Sequence, residues 1–143
     1  MIHSTPILIP VKAGLDGLLR WKAGSESQPF RIAVLGAMLE LGPDEKDLHV
    51  GIGRYALEGG VDALLTVGSA SDASLDALAG AMADGASLAG DASHVDWVHD
   101  IDEADRLVTR LAVEHPGAVV LLKGSHASGL SALAERWQAL AAQ

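Results

Sequence analysis

The chain has 143 residues, of which 49% are hydrophobic and 20% charged, so it fits one globular domain with a buried core. Its formal net charge of −9 argues against nucleic-acid or anionic-membrane partners, and no run of residues is apolar enough to span a bilayer. The lack of cysteine excludes disulfides and thiolate chemistry, and together with a start unlike a signal peptide it predicts a cytoplasmic location.

Strand-like and helix-like patterns alternate along the chain. Apolar runs typical of strands occupy residues 7–9, 31–35, 63–67, 95–98 and 118–122. Apolar residues at helical spacing follow most of these runs. The run at 7–9 predicts an atypical N-terminal strand within residues 1–10. The stretch 85–93, rich in small residues, is ambiguous, and residues 87–89 are a candidate short strand. The alternation predicts a single α/β domain over residues 1–143, in which a mostly parallel sheet of five to six strands has helices on both faces.

Three of the predicted helices have recognisable starts. One begins around Pro43, with the proline in the first turn and acidic residues near the positive end of the helix dipole. The next is capped by Ser71 or Asp72. A third begins at Asp100, which together with Glu103 resembles a capping box. These starts indicate where the loops that follow the strands come to an end.

The carboxyl ends of the strands are the expected location of a ligand site, because ligands of parallel α/β sheets gather there. The last predicted strand runs into Lys123, Gly124 and Ser125. One interpretation is an anion-binding turn, in which backbone N–H groups at a helix N-terminus and the lysine charge face a ligand. The other is that Lys123 ends the strand while Ser125 or Ser128 only caps the following helix. The residues by themselves leave both interpretations open.

Several common catalytic and nucleotide-binding motifs are absent. The chain has no Walker A loop, no G-x-S-x-G elbow and no G-x-G-x-x-G fingerprint. Gly51 and Gly53 lie inside a predicted helix, and we assign both to packing. Ser125 and His126 are adjacent and point in different directions, so they do not form a nucleophile–base pair.

The loop at residues 36–42 and the histidines supply the other candidates. Glu40 either faces a ligand or caps the following helix, and His49 belongs either to the surface or to a site. His94 and His99 flank the strand around Trp97, near several aspartates. A spacing of five residues puts these two imidazoles on opposite faces of a strand, so we expect exposed structural histidines and no metal site.

Five segments together resemble the C-terminal domain of the Mur ligases. They are RIAVLGAMLELG (31–42), His49, IGRYALEGGVDALLTVG (52–68), DIDEADRLV (100–108) and VVLLKGS (119–125). The resemblance extends over residues 10 to 142 and implies a Rossmann-like three-layer sandwich. Within the family, the pattern is most similar to ligases that join D-alanyl-D-alanine to a UDP-MurNAc-tripeptide.

The resemblance implies a role in peptidoglycan synthesis. The complete ligase uses ATP and Mg²⁺ to form an acyl phosphate on the tripeptide carboxylate, which the amino group of D-alanyl-D-alanine attacks. A central ATPase domain and an N-terminal UDP-sugar domain share this work, and neither is present here. We therefore expect no catalytic residue and no tightly bound cofactor in this chain alone. It would close over the site and bind substrate through residues that border the cleft: Met38, Glu40, His49, Lys123, Gly124 and Ser125.

The chain also departs from the family pattern. An Asn-Ala-Asn-Pro element that touches the nucleotide usually precedes the first helix, and of it only Pro10 is present. Ala37 stands where the family commonly has an acidic residue, and His126 where it often has arginine. The alternative is therefore a non-catalytic binding or interaction domain on the same scaffold, which forms a homodimer through its N-terminal strand.

Overall fold

The computed structural model describes residues 30–38, 42–89, 94–124 and 129–141. Strands and helices alternate strictly through these ranges. They are β1 (Arg31–Gly36), α1 (Glu45–Gly59), β2 (Ala63–Val67), α2 (Ala73–Leu88), β3 (Val95–Val98), α3 (Ile101–Glu114), β4 (Val119–Lys123) and α4 (Leu130–Ala141).

The sheet is parallel throughout the described residues. Its strands lie in the order β3-β2-β1-β4, so β1 is flanked by β2 on one side and by β4 on the other. The predicted parallel α/β architecture is confirmed. Four strands are described, whereas the sequence predicts five to six; the strand expected at residues 7–9 lies outside the described residues.

Each face of the sheet has its own hydrophobic core, as the strand alternation requires. Ala33 and Leu35 of β1 pack toward α1 and α2, in a cluster that includes Met38, Ile52 and Met82. The alternate residues of β1 pack toward α3 and α4 on the opposite face. All of β1 is therefore buried, because helices cover both of its faces. None of the helices in the described ranges combines the length and hydropathy needed to cross a bilayer.

Helices α1 and α2 cross in direct backbone contact. A methyl group on Gly53 would overlap the carbonyl oxygen of Met82, and one on Gly85 would overlap that of Val50. Packing is therefore the reason for glycine at position 53, as the sequence predicts. The same prediction is wrong for Gly51, which is exposed and has open space around it.

The helix starts follow the sequence with small differences. The Asp72 carboxylate, not Ser71, caps α2 by accepting the N–H groups of Ser74 and Leu75. Helix α1 begins at Glu45, so Pro43 lies before its first turn and not within it.

The start of α3 also departs from the predicted capping box. Asp100 accepts the N–H of Glu103 at 2.8 Å, as expected. The Glu103 carboxylate, however, accepts the N–H of His99 at 3.1 Å. A reciprocal bond to Asp100 would have completed a capping box. The start of α3 is therefore bonded back to the residue that follows β3.

The candidate strand at 87–89 is wrong. Ser87 and Leu88 are the last two residues of α2, and Ala89 caps it. The Ser87 hydroxyl donates to the carbonyl oxygen of Ala83, one helical turn earlier. The small residues before it allow α2 to continue, because alanine has the highest helix propensity of all residues.

Candidate functional site

The crevice between β1 and β4, at the carboxyl ends of the strands, is the place where this topology favours a ligand. From β1 the chain passes through α1 to β2 on one side, whereas β4 reaches the other side of β1 through α3, on the opposite face of the sheet. Such a reversal of strand order opens a crevice between the two neighbouring strands. The residues that follow β1 and end β4 border it: Ala37, Met38, Lys123 and Gly124.

Lys123 is a buried cation at this crevice. It is the last residue of β4, pairs in register with Leu35, and is only 4% exposed. Strand alternation puts it on the same face as Leu121, toward α1 and α2. Burial lowers the pKa of its ammonium group, and within the described part of the chain no carboxylate pairs with it. A cation in such a position favours a bound anion, because an anion would offset its desolvation.

Met38 lies across the crevice and is held by His49. The Met38 N–H donates to Nε2 of His49 at 2.9 Å. The other ring nitrogen, Nδ1, lies 2.6 Å from the carbonyl oxygen of Glu45 and therefore donates its proton there. His49 lies on α1 and is fully buried, which excludes the surface position that the sequence left open. Desolvation lowers the pKa of its imidazole, which favours the neutral form that this pair of bonds requires.

Four of the six predicted substrate-binding residues are described, and the fold brings them to one edge of the sheet. Gly124 is buried directly after Lys123, and Met38 and His49 are in contact across the end of β1. Glu40 and Ser125 lie outside the described residues, as does Pro10. Substrate contact by any of these residues stays a prediction.

A histidine–aspartate pair lies elsewhere on the same edge and was missed by sequence reasoning. Nδ1 of His99, after β3, is 2.7 Å from a carboxylate oxygen of Asp76, which also accepts the N–H of Ser69. The bond to Asp76 raises the pKa of His99. Asp76 belongs to α2 and lies 23 residues away in sequence, so no local spacing could have revealed the pair.

The two histidines that flank β3, His94 and His99, contact different residues. His94 precedes β3 and lies edge-on to the ring of Phe30, whereas His99 follows β3 and contacts Asp76. Within the described ranges, no group of three or more histidine, aspartate or glutamate side chains is arranged to hold a metal ion.

A parallel sheet wound on both faces, with a buried lysine at its switch point, defines an α/β domain of Rossmann-like architecture. Residues 15–126 match the family model described as "Mur ligase, glutamate ligase domain", and the chain belongs to this family.

Curated relatives with similar sequences are bacterial ligases. The UDP-N-acetylmuramoyl-tripeptide–D-alanyl-D-alanine ligase of Mycobacterium leprae is 40% identical over 103 residues, which cover 72% of this chain and 19% of that protein. The ligase of the same name from Mycobacterium tuberculosis H37Rv is 35% identical over 129 residues, covering 87% of this chain and 25% of that protein. The chain thus spans no more than about a quarter of these relatives.

Solved structures with the same fold include MurF from Acinetobacter baumannii, with a TM-score of 0.70 at 21% identity, covering 95% of this chain and 26% of that one. MurF from Thermotoga maritima in complex with ADP has a TM-score of 0.61 at 22% identity, covering 89% of this chain and 24% of that one. At these identities the likeness shows the fold, and it agrees with the parallel sheet described above.

Proposed function

We propose that this chain is the C-terminal, substrate-closing domain of a cytoplasmic, ATP-dependent ligase of peptidoglycan precursor synthesis. The complete enzyme would add D-alanyl-D-alanine to UDP-MurNAc-tripeptide, as the names of its relatives describe. The chain matches only a quarter or less of those relatives and contains no Walker A loop. Ligation would therefore require an ATPase domain and a UDP-sugar domain in addition to the residues of this chain.

The observation that supports this function most directly is the buried Lys123 at the switch point, which has no carboxylate partner among the described residues. An ammonium group with no counter-ion in the described structure suits the carboxylate of a dipeptide or a phosphate oxygen of the other substrate. Gly124 follows immediately, and a residue without a side chain allows an anion to approach the backbone closely.

The starts of two helices at this edge of the sheet are already capped by carboxylates. Asp72 and Asp100 already accept N–H groups in the first turns of α2 and α3, so these helix ends are not open phosphate cradles. Lys123 is the one buried cation at the crevice within the described residues. The part we assign to this chain is to bind and orient an anionic group and to exclude water when the complete enzyme closes.

A hybrid ligase tests the proposal. The two missing domains of a mycobacterial relative would be fused ahead of this chain, and D-alanyl-D-alanine-dependent phosphate release from ATP would be measured. We expect turnover in the hybrid. Lys123→Met should lower kcat/KM for the dipeptide by about tenfold to a hundredfold, as expected for the loss of one charge-assisted hydrogen bond.

Lys46→Met is the matched control, because Lys46 is exposed on α1 and the loss of its ammonium should leave kcat/KM for the dipeptide unchanged. A well-folded hybrid without turnover, in which Lys123→Met also leaves dipeptide affinity unchanged, would contradict the proposal. That result would favour the non-catalytic interaction domain. Dimerisation through the N-terminal strand stays a prediction, since that strand lies outside the described residues.

A further inference from the structure

We infer that His49 is a positioning residue of the crevice between β1 and β4. Through Nε2 it fixes the backbone of Met38, and it does not itself touch the ligand. What the cleft binds rests on the proposed function, whereas the positioning can be tested without any ligand. The sequence resemblance places His49 among the substrate-binding residues, so this inference changes its role from contact to support.

The hydrogen bonds of His49 leave no ring nitrogen for a ligand. Nε2 accepts the Met38 N–H at 2.9 Å, and Nδ1 donates to the Glu45 carbonyl at 2.6 Å. The side chain is also fully buried, so a ligand in the crevice meets other groups first. Direct substrate contact would require both bonds to break and the ring to leave the core.

One imidazole ring therefore holds both ends of the loop between β1 and α1. Met38 is the second residue after β1, and Glu45 is the first residue of α1. The segment between them includes Glu40, the carboxylate that the sequence places at the cleft. The bond to His49 fixes the backbone of Met38, directly after the strand that pairs with β4 and Lys123.

The two amide substitutions of His49 separate its two hydrogen bonds. In His49→Asn, the amide nitrogen can take the place of Nδ1 and still donate to Glu45, but the shorter side chain cannot reach Met38. In His49→Gln, the longer side chain can put its oxygen near the position of Nε2 and accept the Met38 N–H. Both variants remove the imidazole, and Asn also lacks one methylene of Gln, which affects packing in general. The bond to Met38 should distinguish them at the Met38 amide itself.

The test uses the full 143-residue chain, labelled with ¹⁵N. Hydrogen exchange of the Met38 amide should accelerate about tenfold in His49→Asn, as expected for loss of one hydrogen bond, and much less in His49→Gln. D-alanyl-D-alanine would then be titrated, with the Gly124 amide as reporter, and its affinity should fall in His49→Asn and recover in His49→Gln. His115→Gln is the control, because His115 lies at the opposite edge of the sheet.

Equal exchange of Met38 in the wild type and in both variants would overturn the inference. So would a measurable dipeptide affinity that is the same in the wild type and in both variants. If the variants do not fold, the imidazole ¹⁵N spectrum of the wild type decides: a protonated Nε2 overturns the inference, and a protonated Nδ1 supports it. Failure of the proposed function looks different, because the exchange difference would persist while the wild type shows no response to the dipeptide.

Discussion

Two buried titratable side chains at the crevice, His49 and Lys123, differ in their hydrogen-bond partners. Each loses solvation, and burial lowers both pKa values. The imidazole has a backbone partner for each nitrogen, whereas the ammonium has none within the described residues. A satisfied group holds structure in place, and an unsatisfied one is available to a ligand. This difference supports the two proposed roles, in which His49 positions the backbone and Lys123 binds the ligand.

The variant Lys123→Met tests whether Lys123 serves binding at the expense of stability. Methionine keeps most of the apolar stem and removes the charge. In the wild type, that buried charge costs free energy because no described group offsets its desolvation. We expect the free energy of unfolding to rise by about 1 kcal/mol. Urea denaturation of the wild type and the variant at neutral pH measures it. A clear loss of stability would instead show that the ammonium has a structural role.

The sequence indicates some of these residues as candidates and gives no signal for the contacts of others. Lys123 is a candidate because it lies at the end of a predicted strand, where ligand sites are expected, whereas Met38 and His49 are candidates through the family resemblance. The orientation of His49 is invisible in the sequence, since it depends on a Met38 N–H that lies 11 residues earlier. The pair of His99 with Asp76 joins two different elements and has no local signal.

At the scale of whole elements, the contact between α1 and α2 depends on two glycines. Gly53 and Gly85 lie against backbone atoms of the opposite helix, so a side chain at either position can be accommodated only if the helices move apart. Gly51, two residues before Gly53, has open space instead. The same substitution at these two neighbouring positions should therefore have effects of opposite sign.

Gly53→Ala should destabilise the domain by about 3 kcal/mol, because the new methyl group meets the Met82 backbone and not a flexible side chain. Gly51→Ala should stabilise it by about 0.5 to 1 kcal/mol, the usual gain from alanine in an exposed helical position. Urea unfolding of both variants measures the difference. Equal effects of the two substitutions would show that α1 and α2 can separate at little cost.

The boundaries of the four described strands agree with the sequence prediction to within a residue, because strands of a parallel sheet appear in sequence as short apolar runs. Residues 63–67 and 95–98 are strands as predicted, and the last strand is shifted by one residue. The end of α2 was not predicted, because a run rich in alanine, glycine and serine has no apolar periodicity to distinguish a helix from a strand.

At the scale of the whole molecule, two histidines should make stability depend on pH in opposite directions. The pKa of His49 is lowered from its ordinary value of 6.5. Below that pH the unfolded chain binds a proton more readily than the folded chain, so the folded state loses stability toward acid. The pKa of His99 is raised from the same value, so its contribution is present below pH 6.5 and is lost as the pH rises through the raised pKa.

The unfolding free energy should be measured from about pH 8 down to about pH 5, a range that spans the histidine titrations. We expect His49→Gln to lessen the loss of stability toward acid. His99→Asn should steepen that loss, because it removes the favourable interaction of the protonated ring with Asp76. The same change of slope in both variants would contradict these assignments.

The backbone contact between α1 and α2 has a mechanical consequence. Met38 is bonded to α1, and α1 meets α2 at glycines that leave no room for a side chain. The backbone directly after β1 is therefore connected through α1 to α2. In the proposed ligase, closure would carry these three parts together about a hinge outside them. Substrate would then meet a wall whose framework is already ordered, so little conformational entropy is lost on binding.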